Sequence, residues 1–382
     1  MNVVVAIDSF KGSATSLELN QAVKEAIEAD FSQVECVCIP IADGGEGSLE
    51  AIYTANGGHF QSCSTVDLLG RNCKTEYLIT LKENKKIAII ESAKVVGLDL
   101  IHPCEETLCQ ASTYGLGLVV KDALEKRVNQ IILTLGGSGT SDGGLGFLQA
   151  LGADTGDTAR TGNPLLVAKK LDLARVKQQF AQINLIAAAD VTNVYYGSNG
   201  AAKVFGMQKG GSPEILEKLD AKAQRIATYL QEHDQIVLNQ VAGSGAAGGL
   251  GGAIVALGGE LQSGFELISQ FTNLEQMVSK ADLVFTGEGS IDSQTENGKV
   301  PFGIAQLTQK FAVPVVVLCG RYTAIKPQLA ANFQGIFCIQ SAPISLEEAL
   351  KKENTLLNIA NTAKNILKLF LFSKQSNLEK EW

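Results

Sequence analysis

Proline is scarce in this 382-residue chain, at 8 residues, and tryptophan (1), methionine (3) and histidine (3) are scarcer. So little proline excludes a collagen-like chain or a Pro/Gly linker, although glycine is plentiful at 39 residues. Basic charge is also short, with 32 Lys+Arg against 40 Asp+Glu and a formal net charge of −8. Binding to nucleic-acid phosphates needs a basic face, so no nucleic-acid partner is expected. None of the eight cysteines (36, 38, 63, 73, 104, 109, 319 and 338) stands in a C-x-x-C pair or at zinc spacing from a histidine. They read as reduced thiols of a cytoplasmic protein. The opening MNVVVAIDSF has no basic segment before its apolar run, which makes it a strand rather than a secretion signal. The uncharged stretch 235–259 is long enough to span a bilayer, but its eight glycines and its polar residues argue against a membrane role.

With 45% hydrophobic and 19% charged residues, the chain can bury a sizeable core, and its length suits about two domains. Six short β-branched runs are each followed by a polar or glycine-bearing loop: residues 3–7, 34–41, 131–135, 185–189, 283–286 and 313–318. Buried parallel strands read this way, which gives an α/β fold class. Helical patterns cover residues 17–29 and 145–151. Between about residues 66 and 90 the pattern changes to TEYLITL and KKIAII around a KENKK turn, an antiparallel element. Residues 214–232 form a long amphipathic helix. Residues 346–372 are helical, with a core-facing stripe at Leu356, Ile359, Ala363, Ile366 and Phe370.

In open parallel sheets ligands bind beyond the carboxyl ends of the strands, where helix N-termini present unpaired amides. The loops there combine glycine with acids: Asp8, Asp43, Glu46, Asp142, Asp190, Glu288 and Asp292. Glycine lets the backbone approach phosphate closely, and carboxylates suit Mg²⁺. The alternative is that these residues only cap the following helices. No G-x-x-x-x-G-K-[ST] occurs, which excludes a Walker-type ATPase. Gly243-x-Gly245-x-x-Gly248 fits a dinucleotide fingerprint but follows no clean strand. No histidine has a Ser/Asp partner in view, so a hydrolase triad has little support. Lys11, Lys209 and Lys299 stand in glycine-bearing loops, where an anionic substrate would need cations.

Seven of these loops, taken in order, resemble the bacterial-type glycerate kinases, a family that includes glycerate 2-kinases. They are Asp8-Ser9-Phe10-Lys11-Gly12-Ser13, Ala42 to Gly47, Gly136 to Gly144, Asp190 to Asn193, Gln208 to Gly210, Gly245 to Gly251, and Gly287-Glu288-Gly289 with Asp292, Gln294 and Thr295. The sequence departs from the family pattern at Ser141, Val194-Tyr195 and Met207. The resemblance implies ATP- and Mg²⁺-dependent phosphorylation of D-glycerate in two α/β domains. The expected layout is a discontinuous, Rossmann-like first domain of residues 1–82 with 281–382 and an inserted domain of residues 83–280, with the active site in the cleft between them. Organic-acid catabolism is the implied setting, and the 2-phospho product is favoured over the 3-phospho. Oligomeric state is not set by the sequence; a homodimer is one option.

Within that scheme Asp190, after the strand LIAAA, is the first candidate for the base that takes the hydroxyl proton, with Asp43 and Asp142 as alternatives and Lys11 beside the transferred group. Gly136, Gly137, Ser138, Gly139, Lys209, Gly245 and Gly248 are the expected nucleotide contacts. Asp8, Ser9, Arg71, Glu288 and Lys299 are the expected substrate contacts, and Asp43 and Asp142 the metal ligands. A phosphometabolite-binding regulator and a Mg²⁺-dependent phosphatase or mutase are the competing readings.

Overall fold

The computed structural model describes residues 1–157, 162–292, 299–323 and 325–378; Gln294 and Thr295 of the resemblance lie outside them. Its strands are β1 (Asn2–Ile7), β2 (Glu35–Cys38), β3 (His59–Val66), β4 (Asn72–Lys82), β5 (Lys85–Glu91), β6 (Gln130–Thr134), β7 (Asn184–Ala188), β8 (Glu260–Gln262), β9 (Leu283–Ile291), β10 (Val315–Tyr322) and β11 (Gly335–Cys338). They form two sheets. The chain divides into two compact units, one of Met1–Asp43, Glu50–Ala55 and Phe265 onward, the other of Gly44–Leu49 and Asn56–Gly264.

The first unit holds a sheet of order β11-β10-β9-β1-β2, parallel at every pairing. Val3, Val5, Ala6 and Ile7 of the inner strand β1 have no solvent exposure, which is why that strand reads as one apolar run instead of an alternation. Helix Ser16–Asp30 packs on this sheet and against helix Lys352–Leu378. Thr15 starts the former with a capping box, its hydroxyl accepting from the Glu18 amide while the Glu18 carboxylate accepts from the Thr15 amide. The expected C-terminal stripe lies in the core at Ile359, Ala363 and Ile366, with Leu356 and Phe370 packed against it. Helix Leu346–Ala349 precedes it as a separate turn.

The second unit holds a sheet of order β3-β4-β5-β6-β7-β8. Strands β3, β4 and β5 run antiparallel; β5 then pairs in parallel with β6, and the parallel order continues through β7 to β8. The β4–β5 hairpin turns on Glu83 and Asn84, both at positive φ as a type I′ turn demands. The long helix runs Pro213–Asp234, with Ser212 accepting from the Ile215 amide and Pro213 in its first turn.

The expected boundary near residue 82 falls inside the second unit. Residues 56–82 belong there because β3 and β4 are joined by hydrogen bonds through β5 to the parallel strands. No helix among the described residues is long and apolar enough to cross a membrane. The stretch 235–259 folds instead as a 3₁₀ turn at Leu238–Gln240 followed by the segment Ala246–Ala256, helical except for a kink at Ala247, Gly248 and Gly249, which take positive φ.

Candidate active site

In the first unit the acids of the sequence come together at the carboxyl ends of β1 and β9. Ser16 and Asn20, one turn apart on the helix after β1, hold that end. The Asn20 side chain accepts from the Ile7 amide at 2.9 Å and donates to the Ile39 carbonyl at 3.2 Å. The Ser16 hydroxyl donates to Ile7 O at 2.6 Å and accepts from the Ile41 amide. These two buried side chains, which no motif points to, fix the backbone leading to Asp8 and to Asp43. The Asp8 amide donates to Gly287 O, and its carboxylate accepts from the Ser9 amide at 2.7 Å. Burial, first of all, and then the charges of Asp43 and Glu288 push the Asp8 carboxyl well above the usual carboxylate range; Ser9 and Lys11 pull the other way. Glu288 is buried and pairs with Lys299 at 3.0 Å. Asp8, Ser9, Lys11, Asp43, Glu288 and Lys299 therefore form one neighbourhood.

In the second unit the glycine loop after β6 is pinned at several points. The Gly137 carbonyl accepts from Leu98, the Gly139 amide donates to Val96 O, and the Ser138 and Thr140 hydroxyls bond at 2.9 Å. Gly137 takes φ +73°, which a side chain there would strain. The amides of Gly136, Gly137 and Ser138 donate to no acceptor among the described residues. Successive amides of this kind bind anions. Asp190 follows β7, and its Oδ1 accepts from the Ser263 hydroxyl at 3.1 Å and the Gly264 amide at 2.9 Å, the latter beginning helix Gly264–Thr272.

The remaining residues of the expected site are engaged otherwise. Asp142 is wholly buried, and its carboxylate accepts from the Thr113 amide and hydroxyl and from the amides of Gly144 and Gly146. It clasps the start of helix Leu145–Leu151, and this arrangement is a cap in place of the expected metal ligand. Lys209 is buried, donates to Thr140 O at 2.5 Å and has its pKa pushed down by burial to about 8. It supports the glycine loop from within and is not offered to solvent as a ligand cation. Gly245 and Gly248 permit close backbone packing: a Cβ on Gly248 would lie 2.0 Å from Thr140 O, and one on Gly245 2.2 Å from Val194 O. Arg71 pairs with Asp67 in the turn between β3 and β4. Tyr195, one of the departures from the family pattern, fills the space over Gly143, Gly249 and Gly252 and donates to Gly143 O at 2.7 Å.

Sequence reasoning also missed Glu91, the buried last residue of β5. Its carboxylate accepts from the Leu49 amide at 2.9 Å and from Ser48, and burial raises its pKa. It anchors the acid–glycine loop of residues 44–48 at the start of helix Ser48–Asn56. Only its place at a strand end marked it in advance.

The model of the glycerate kinase family matches residues 3–371. The chain belongs to the glycerate kinase family. A glycerate kinase of Bacillus cereus is 34% identical over 99% of this chain and all of the relative. A glycerate 2-kinase of Escherichia coli is 34% identical over 96% of this chain and 97% of its own length. A crystal structure from Salmonella typhimurium LT2, provisionally named glycerate kinase 2, superposes with a TM-score of 0.84 at 34% identity, covering 98% of this chain and 99% of that one. The α/β architecture is thus the architecture of this glycerate kinase relative, and the seven loops of the resemblance fall within the matched residues.

Proposed function

We propose that the protein transfers the γ-phosphoryl group of ATP to a hydroxyl of D-glycerate, the 2-hydroxyl by preference. The carrying observation is the group of Asp8, Asp43 and Glu288 beside Lys11 and Lys299 in the first unit. Two carboxylates close enough to push the Asp8 carboxyl up make with it a hard-oxygen donor set that a divalent cation would relieve, and lysines among them suit an anionic substrate. Asp43 and Asp8 would hold Mg²⁺, which supplies neutralisation of phosphate charge. Phosphoryl transfer depends on positioning and charge more than on covalent chemistry by the protein. The amides of Gly136, Gly137 and Ser138 receive phosphate oxygens, and Lys11 and Lys299 offer positive charge to the carboxylate or the transferred group. Asp190, oriented by Ser263 and Gly264, accepts the proton of the attacking hydroxyl. The names of the relatives support the choice of glycerate.

The test is to incubate the protein with ATP, Mg²⁺ and D-glycerate, follow ADP, and read the product by phosphorus NMR. Glycerate-dependent ADP and a 2-phosphoglycerate resonance are expected, and Asp190→Asn should lower kcat by about 10²-fold or more. Phosphate release from phosphoglycerate without nucleotide would favour a phosphatase, and binding without turnover a regulator.

A further inference from the structure

Two of the eight cysteines face each other across neighbouring strands. Cys319 on β10 and Cys338 on the edge strand β11 are register partners in a parallel pairing, which places both side chains on one face. Neighbouring strands lie about 4.8 Å apart, inside the roughly 4.4–6.8 Å between Cα atoms that a disulfide spans. Each thiol already leans over the other strand, Cys319 Sγ toward Phe337 O at 3.5 Å and Cys338 Sγ toward Gly320 O at 3.3 Å. Cys338 is exposed and Cys319 fully buried.

We propose that Cys338 and Cys319 form a dithiol site that a peroxide closes into a disulfide. The Cys338 thiolate attacks one peroxide oxygen, the O–O bond breaks, and a sulfenic acid and hydroxide result. The Cys319 sulfur then attacks Cys338 Sγ; the S–O bond breaks, and water leaves carrying the Cys319 proton. Two thiols and one hydrogen peroxide give one disulfide and two waters. The order follows from access, and burial, which pushes the Cys319 thiol up to about 12, keeps that sulfur from reacting first. On its other side Cys319 is the register partner of Glu288, so closure would be felt at the carboxylate group.

Hydrogen peroxide is added to the full chain, followed by alkylation and tryptic mass spectrometry. A mass loss of about 2 Da is expected, with peptide 311–321 linked to peptide 322–351, and both should vanish in Cys338→Ser or with dithiothreitol. In Cys319→Ala the sulfenic acid of Cys338 should persist and be trapped by dimedone. Linkage of Cys338 to a different cysteine, or Cys338 oxidised to the sulfinic acid while Cys319 remains alkylatable, would overturn the proposal. Kinase activity is a second readout: it should fall several-fold on oxidation and recover on reduction. The mass-spectrometric result does not depend on the proposed function, so the two can fail separately.

Discussion

Asp8 carries its charge where burial and two neighbouring carboxylates oppose it. Between the ordinary carboxylate pKa of about 4 and the raised value, the folded chain binds more protons than the unfolded one, so its stability falls as pH rises through that window and stays lower above it. Asp8→Asn removes this opposition. The variant should melt a few degrees higher than wild type at pH 7 in scanning calorimetry, with the gap closing as pH approaches 4. If ionised Asp8 serves the reaction, the acid limb of kcat/KM should lie above the usual carboxylate range in wild type, and Asp8→Asn should lose about 10²-fold in kcat/KM. A variant that is neither more stable nor less active would show that the carboxylate is not under this pressure.

Elements are held to the strand ends by single buried acids. Asp142 satisfies four donors, the amide and hydroxyl of Thr113 and the amides of Gly144 and Gly146 at the start of helix Leu145–Leu151. Asp142→Ala would leave them without an acceptor, at about 1–3 kcal/mol or more by urea denaturation, whereas a metal-ligand role would instead show as a raised Mg²⁺ requirement at unchanged stability. Glu91→Ala should cost a similar amount by detaching Leu49 and Ser48, and Glu91→Gln, which keeps an acceptor, should cost less. The inner parallel strands were legible in the sequence because burial on both faces writes them as β-branched runs. β8, of three residues, is too short to leave such a pattern, and the edge strand β11 (Gly335–Cys338) has only one β-branched residue, Ile336, to write it. Asp8, Asp43 and Glu288 could be read from their loops because acid and glycine recur at strand ends. The engagement of Asp142 could not, since its donor Thr113 is 29 residues away in sequence; nor could the burial of Lys209, which depends on the fold around Thr140.

At the scale of the molecule, each unit has its own sheet and its own apolar core, and the chain passes between units after Asp43, Leu49, Ala55 and Gly264. Two cores of different size need not melt together. Calorimetry without ligand should therefore give a van't Hoff enthalpy below the calorimetric one; equality of the two would mean that the units unfold as a single cooperative body. The pairing of β1 with β9 also has a consequence for synthesis. Ile7 leaves the ribosome far ahead of its partner Gly287, and at about 5–20 residues per second that is a wait of roughly 15–55 s. The second unit can finish folding in that interval, while β1 still has one flank unclaimed.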